Sequence, residues 1–323
     1  MKRLYYGTFT PGLERPVERM LSKEMGVSVE RMLSGGALFW SNREPEIPYF
    51  LHVFTALAKQ KACREPEQAI EQLLTHGDWL DRVPYEEIQG KTFRITVTDG
   101  RQKMPVNMKK LAMLEDAISN YTGMRNARQK SDTEFWLVIG KEKNDTLFLL
   151  RTLKREKPSG WMKPDLLHVI GYSMGFRSNE VCVANGNAGC GLPALLADRA
   201  KIVNWIVSPV DQELQPKGGL ALVRCIDGAP SHTSLADRSQ DSAFLYVEPC
   251  LTEAQWGDAR SSLYEMKRIL KEGGRLVLLG EEKSLRYLAA KNEELQNGEK
   301  CRFIINGKDL QLISVEMNAA DTE

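Results

Sequence analysis

The chain has 323 residues, 42% of them apolar and 27% charged, with 44 Lys and Arg against 43 Asp and Glu. That length predicts two domains or one large one, and the balance is that of a soluble globular protein rather than a disordered or fibrous one. No window approaches the roughly 18 apolar residues of a membrane span, and no apolar signal core opens the chain, so no targeting segment is expected.

The six cysteines are scattered without a C-x-x-C pair, which speaks against a zinc site or a disulfide framework and for a reduced, cytoplasmic protein. Cys182 and Cys225 lie in apolar runs and are expected to be buried thiols. Charge is unevenly divided: residues 1–160 hold 26 basic and 21 acidic side chains, residues 161–323 hold 18 and 22. Between Lys91 and Lys157 the count is 15 against 8. That stretch reads either as a phosphate-facing surface or as a solvated face.

In chain order, Leu4–Phe9 has strand character, and after Pro11-Gly12 the spacing of Leu13, Val17, Met20 and Leu21 predicts a helix. Ala37–Trp40 reads as a short strand. From Tyr49 to Lys61, Phe50, Val53, Phe54, Leu57 and Ala58 recur at three- and four-residue intervals, which predicts an amphipathic helix. Glu67–Leu74 predicts another helix, Thr92–Thr98 a strand, and Met108–Tyr121 a helix. Glu134–Ile139 and Thr146–Leu150 read as strands. The N-terminal half is therefore α+β, and Lys154–Gly160 is placed as a linker.

Beyond it the pattern changes. Pro164–Met174 reads as a helix, followed by strands at Val181, Ile202–Val207, Leu220–Ile226, Ala243–Val247 and Arg275–Leu279, with a helix over Ala259–Leu270. Strands alternating with helices imply a parallel, doubly wound sheet whose ligand crevice lies at the strands' carboxyl ends. Three turns fall there: Asn185-Gly186-Asn187-Ala188-Gly189-Cys190-Gly191, Asp227-Gly228-Ala229 and Glu248-Pro249-Cys250. The first is a glycine loop between strand and helix, which lets backbone approach a ligand closely. Its order is not the dinucleotide G-x-G-x-x-G, and a plain strand-to-helix turn stays open.

Leu263-Tyr264-Glu265-Met266-Lys267-Arg268-Ile269-Leu270-Lys271-Glu272-Gly273-Gly274 and the following Arg275–Leu279 resemble the segment that turns a helix into the fifth strand of class I S-adenosylmethionine-dependent methyltransferases. Asn185–Gly191 stands where the branch carrying an N-terminal THUMP domain has D-P-F-C-G-S-G. Val247-Glu248-Pro249-Cys250-Leu251 stands where it has [N/D]-P-P-[Y/F]. Asp227-Gly228-Ala229 and Trp161-Met162-Lys163-Pro164 resemble further segments of that branch. Thr8–Glu14 and the runs from Asp78-Trp79 to Val97 and from Phe135 to Leu150 are similar to its N-terminal parts.

The resemblance implies an α+β N-terminal module, ferredoxin-like over residues 1–70 and THUMP-like over 71–155, followed by an α/β Rossmann-like class I methyltransferase domain over 156–323. It implies S-adenosyl-L-methionine as cofactor, structured RNA (tRNA or rRNA) as partner, no metal and no membrane, and guanine N2 as target. The cofactor residues would be Asn185, Gly186, Asn187, Gly189, Gly191, Ser208, Asp227 and Ala229. Glu248, Pro249 and Cys250 would form the catalytic corner.

The sequence departs from that pattern. Asn185 replaces an acid after the first strand, the second strand ends in Ser208 with Asp211 late, and Cys250 replaces the motif's second proline. These departures keep open a second reading, an RNA-binding protein that retains the fold without methyl transfer. A nicotinamide-dependent oxidoreductase is the weaker third. An exocyclic amine attacking a sulfonium methyl needs an oxygen acceptor for its proton and a flat surface for the flipped base. Glu248 could be that acceptor or an ordinary strand-end carboxylate; Tyr246 and Trp256 could be the surface or simply packing. Of the four histidines only His232 is placed near the crevice, and none has nucleophile or metal spacing.

Overall fold

The structure, a computed structural model, describes residues 2–43, 47–88, 91–100, 102–127, 130–140, 145–153, 162–175, 177, 179–186, 191–207, 222–249 and 252–317. The expected linker at Lys154–Gly160 lies outside them.

The N-terminal half opens with β1 (Arg3–Thr8), α1 (Glu14–Leu21), the hairpin of β2 (Val27–Leu33) and β3 (Gly36–Ser41), and β4 (His52–Gln60). It continues through α2 (Pro66–Thr75), a short α3 (Tyr85–Ile88), β5 (Thr92–Thr98), α4 (Met108–Thr122), β6 (Arg125–Asn126), β7 (Thr133–Val138) and β8 (Thr146–Leu153). These strands form one sheet in the order β2-β3-β1-β4-β8-β7-β5-β6. The β4–β8 ladder carries that sheet across residue 70, the expected boundary between two N-terminal parts.

One expected helix is a strand. Val53 to Leu57 of β4 are all buried, and they serve apolar layers on both faces: Phe54 and Ala56 pack with Tyr6 and Leu149, while Leu57 packs with Phe93 and Phe148. A central strand covered on both sides gives a continuous apolar run, which here coincides with helical spacing. The helix α4 follows its pattern, with Asn107 accepting from the Lys109 and Lys110 backbone N–H groups and Gly123 closing the end at φ 71°, the left-handed geometry suited to a helix stop.

The C-terminal half runs α5 (Pro164–Met174), β9 (Val181–Asn185), α6 (Leu192–Ala197), β10 (Ile202–Val207), β11 (Leu222–Asp227), β12 (Gln240–Val247), α7 (Glu253–Ile269), β13 (Leu270–Glu281), α8 (Glu282–Ala290), α9 (Glu293–Asn297), β14 (Glu299–Ile305) and β15 (Lys308–Glu316). The sheet order is β11-β10-β9-β12-β13-β15-β14. The first five pair in parallel, and β14 and β15 are antiparallel additions. Because β10 and β11 lie on one side of β9 and β12 on the other, the winding reverses between β9 and β12. That reversal opens a crevice at the carboxyl ends.

Helix α7 starts six residues before Ala259 because Thr252 and Gln255 form a capping box, a signal written in the sequence as T-x-x-Q. Cys182 is buried as expected and its thiol is pushed up by burial, but Cys225 is exposed. It stands on β11, the edge strand among the described residues.

The two halves share a core. Phe9, Leu13, Val17 and Phe50 pack in one apolar cluster with Leu166, Ile170, Phe303 and Ile305. The wholly buried Asp165 accepts a hydrogen bond from the Thr10 backbone N–H at 2.5 Å and from the Leu166 N–H at 2.9 Å. Gly12, at φ 101°, lies so close to β14 that a Cβ there would stand 1.9 Å from the Arg302 carbonyl oxygen. Among the described residues no helix is long and apolar enough to cross a membrane.

Candidate active site

Because β9 to β13 are parallel, the turns after β9, β11 and β12 emerge on one edge of the sheet. The β9–β12 ladder ends at Ala184 and Phe244, and beyond it Asn185 takes over. Its side-chain oxygen accepts the Tyr246 backbone N–H at 2.7 Å, and its amide donates to the Tyr246 carbonyl at 3.2 Å. Asn185 is 8% exposed. A carboxylate, which only accepts, could make the first of these bonds and not the second.

Gly186 follows at φ 126°, and among the described residues a Cβ there would meet nothing nearer than the Tyr246 Cβ at 3.9 Å. The backbone at this turn requires glycine. Gly191 opens α6 at φ 82° and packs on Leu167. Asn187, Gly189, Ser208 and Cys250 lie outside the described residues.

Asp227 ends β11, and Ala229 starts a turn in which the His232 N–H donates to the Ala229 carbonyl at 3.0 Å. His232 is thus at this edge, as its position after Asp227 suggests. Glu248 and Pro249 follow β12 directly, with Glu248 exposed and Pro249 half-buried. Tyr246 is half-buried beside them, and its phenol is raised by burial first and then by the charges of Glu248 and Glu281.

Sequence reasoning missed Glu281. It reaches the edge because β13 runs two residues past Leu279, and Gly280 lets it close on β12: a Cβ there would stand 2.8 Å from the Val247 carbonyl oxygen. Trp256, in the first turn of α7, packs on Tyr287 of α8, ring centroids 4.2 Å apart. Of the two aromatics considered as a base platform, Tyr246 stands on β12 two residues before Glu248.

A second missed element braces the loop after β11. Glu265 accepts from the Thr233 N–H at 2.8 Å and hydroxyl at 2.7 Å. Arg268 binds Glu265 at 2.7 and 2.8 Å, the Leu235 carbonyl at 2.8 Å, and Asp237. The Arg268 bonds, with those from Thr233, bring the Glu265 carboxyl down to about 2. The signal was present: these are the acid and arginine of the L-x-E-x-x-R segment, whose spacing puts them on one helix face.

No family model matches the sequence, and no curated protein matches it. Solved structures do. The chain is similar to TrmN from Thermus thermophilus, at 14% identity over 98% of this chain and 100% of that one, TM-score 0.75. It is also similar to a possible methylase from Clostridium difficile, at 11% identity over the whole of both chains, TM-score 0.68. A third is a predicted N6-adenine-specific DNA methylase from Listeria monocytogenes, at 12% identity over 97% and 96%, TM-score 0.58. At such identities the likeness is one of fold, and it extends over both halves of the chain.

Proposed function

We propose that this chain is an S-adenosylmethionine-dependent methyltransferase acting on structured RNA, a tRNA or an rRNA, at an exocyclic amine such as guanine N2. The observation that carries the proposal is the placement of the Gly186 turn and the Glu248-Pro249 corner on adjacent parallel strands at the switch point, joined through Asn185 and Tyr246.

Gly186, with the rest of the glycine loop through Gly191, and Asp227 with Ala229 would hold the cofactor. Asn187, Gly189 and Ser208 are proposed with them on the sequence resemblance. The cofactor supplies an electrophilic methyl group, so the protein's contribution is mainly positioning. Asn185 fixes the two strand ends relative to each other. Glu248 would take the proton from the target amine at its carboxylate, Pro249 would stiffen the corner together with Cys250, and Tyr246 would present an apolar flank to the base. The N-terminal half would be a ferredoxin-like and THUMP-like module gripping RNA through phosphates and shape. Arg125, exposed on the edge strand β6, and Lys130 are among the basic side chains suited to that task.

The test is transfer of a labelled methyl group from S-adenosylmethionine to bulk tRNA or rRNA. One observation favours the second reading, an RNA-binding protein without methyl transfer: Asn185, where the resembled motif has an acid, commits one amide N–H and one oxygen lone pair to Tyr246 inside the fold. Labelled methyl appearing in RNA would reject it.

A further inference from the structure

At the opposite edge of the C-terminal sheet, where β9 and β13 begin, α1, α5 and the β14–β15 hairpin enclose a cleft of about 840 Å³. Among the described residues five cationic side chains and two carboxylates line it. One wall, from α1 and the turn after it, carries Lys23, whose ammonium lies 4.7 Å from the centre of the Tyr172 ring, and Arg19, paired with Glu299 at 2.6 Å.

The floor is α5. Gly171 lies in its last turns, and Gly175 caps its C-terminus in the left-handed conformation at φ 68°. Each has an arginine against it. A Cβ on Gly175 would fall 1.6 Å from Nη1 of Arg275, and one on Gly171 would fall 3.8 Å from Nη1 of Arg199. The missing side chain at Gly175 thus lets the Arg275 guanidinium settle on the end of the helix, while Arg199 stands in ordinary contact range of Gly171, behind Leu195 at 3.2 Å. Arg199 has the His168 ring nitrogen at 3.1 Å as partner. The Arg275 guanidinium has no hydrogen bond or ion pair with any described residue, although Glu316 stands directly across the ladder from it.

Part of this is explained by the helix end, where a cation is favoured by about 0.3–1 kcal/mol. That accounts for one arginine and not for a second cation a turn further in, nor for Lys23 on the facing wall. Guanidinium groups pair bidentately with phosphate oxygens, and two of them line this one cleft together with an ammonium. We infer that this cleft is a binding site for a phosphate-bearing anion, held by Arg275, Arg199 and Lys23. It lies a strand's length, roughly 15 Å, from the Gly186 edge, and it stands whether or not the chain transfers methyl groups.

Calorimetry of the full chain with inorganic tripolyphosphate as probe tests it. The expected result is saturable one-site binding, weakened about tenfold or more by Arg275→Gln combined with Arg199→Gln. Glu316→Gln, which removes a negative charge from the rim, should tighten binding about threefold. Arg286→Gln on α8 should leave it unchanged. Bulk tRNA added as competitor separates the two sources of phosphate. Displacement of the probe assigns the cleft to a polynucleotide backbone, and undisturbed binding assigns it to a free phosphorylated compound. Absence of saturable binding, or equal affinity in the double variant with an unchanged thermal melt, overturns the inference.

Discussion

Asn185 ties the end of β9 to the end of β12 by receiving the Tyr246 N–H and donating to the Tyr246 carbonyl, replacing the rung the ladder no longer supplies. The residue that departs from the resembled motif is therefore a splint between the two turns. Asn185→Asp should not improve cofactor binding. It leaves the Tyr246 carbonyl without its donor and sets a carboxylate beside it, at a cost of about 2 kcal/mol. Chemical denaturation of the variant measures this directly, and a gain in stability would contradict it.

Glu265 predicts an acid limb. Its carboxyl lies at about 2 in the folded chain against an ordinary 4.5. A depressed carboxylate contributes stability that is whole above its unfolded value and fades as pH falls toward the folded one. Melting temperature should therefore drop between about pH 4.5 and 2, and Glu265→Gln should flatten that limb while costing about 2 kcal/mol at neutral pH. Thermal melts across that range, in both proteins, provide the check.

The two halves should unfold together. Asp165 holds Thr10, and Gly12 leaves no space over β14. Asp165→Ala leaves the Thr10 N–H buried and unpaired and should cost about 2–3 kcal/mol. Gly12→Ala, impossible at 1.9 Å from Arg302 without backbone movement, should split one melting transition into two. A single unchanged transition would contradict this.

Trp256 and Tyr246 should separate cleanly. Trp256→Ala removes a ring packed on Tyr287 and should lower stability by about 2–3 kcal/mol, with cofactor affinity within about twofold of the parent. Tyr246→Ala empties the flank of the corner and should reduce methyl transfer by about a hundredfold or more, with Tyr246→Phe close to the parent. Paired denaturation and transfer assays distinguish the two.

Much of the second half was legible because its periods differ: helices α5 and α7 and the apolar strands β10 and β12 each carry their own pattern, and Gly186 marks a turn only glycine can make. The β4 strand was misread because burial on both faces erases the alternation that identifies a strand. Strand β2 escaped for the opposite reason, since none of its residues is buried, whereas β14, with Cys301, Phe303 and Ile305 buried between exposed neighbours, carries the alternation of a strand that the sequence reading passed over. Glu281 could not be placed, because its position depends on how far β13 extends past Gly280. Arg275 and Arg199 reach one cleft beside α5 from distant parts of the chain, and no local spacing announces it.

The central claim, that the Gly186 turn and the Glu248 corner open on one cofactor site, is tested most directly by calorimetry with S-adenosylmethionine. Saturable binding at a single site, abolished by Gly186→Val and unaffected by Trp256→Ala, is the predicted result. No heat of binding at millimolar cofactor, or affinity untouched by Gly186→Val, would contradict it.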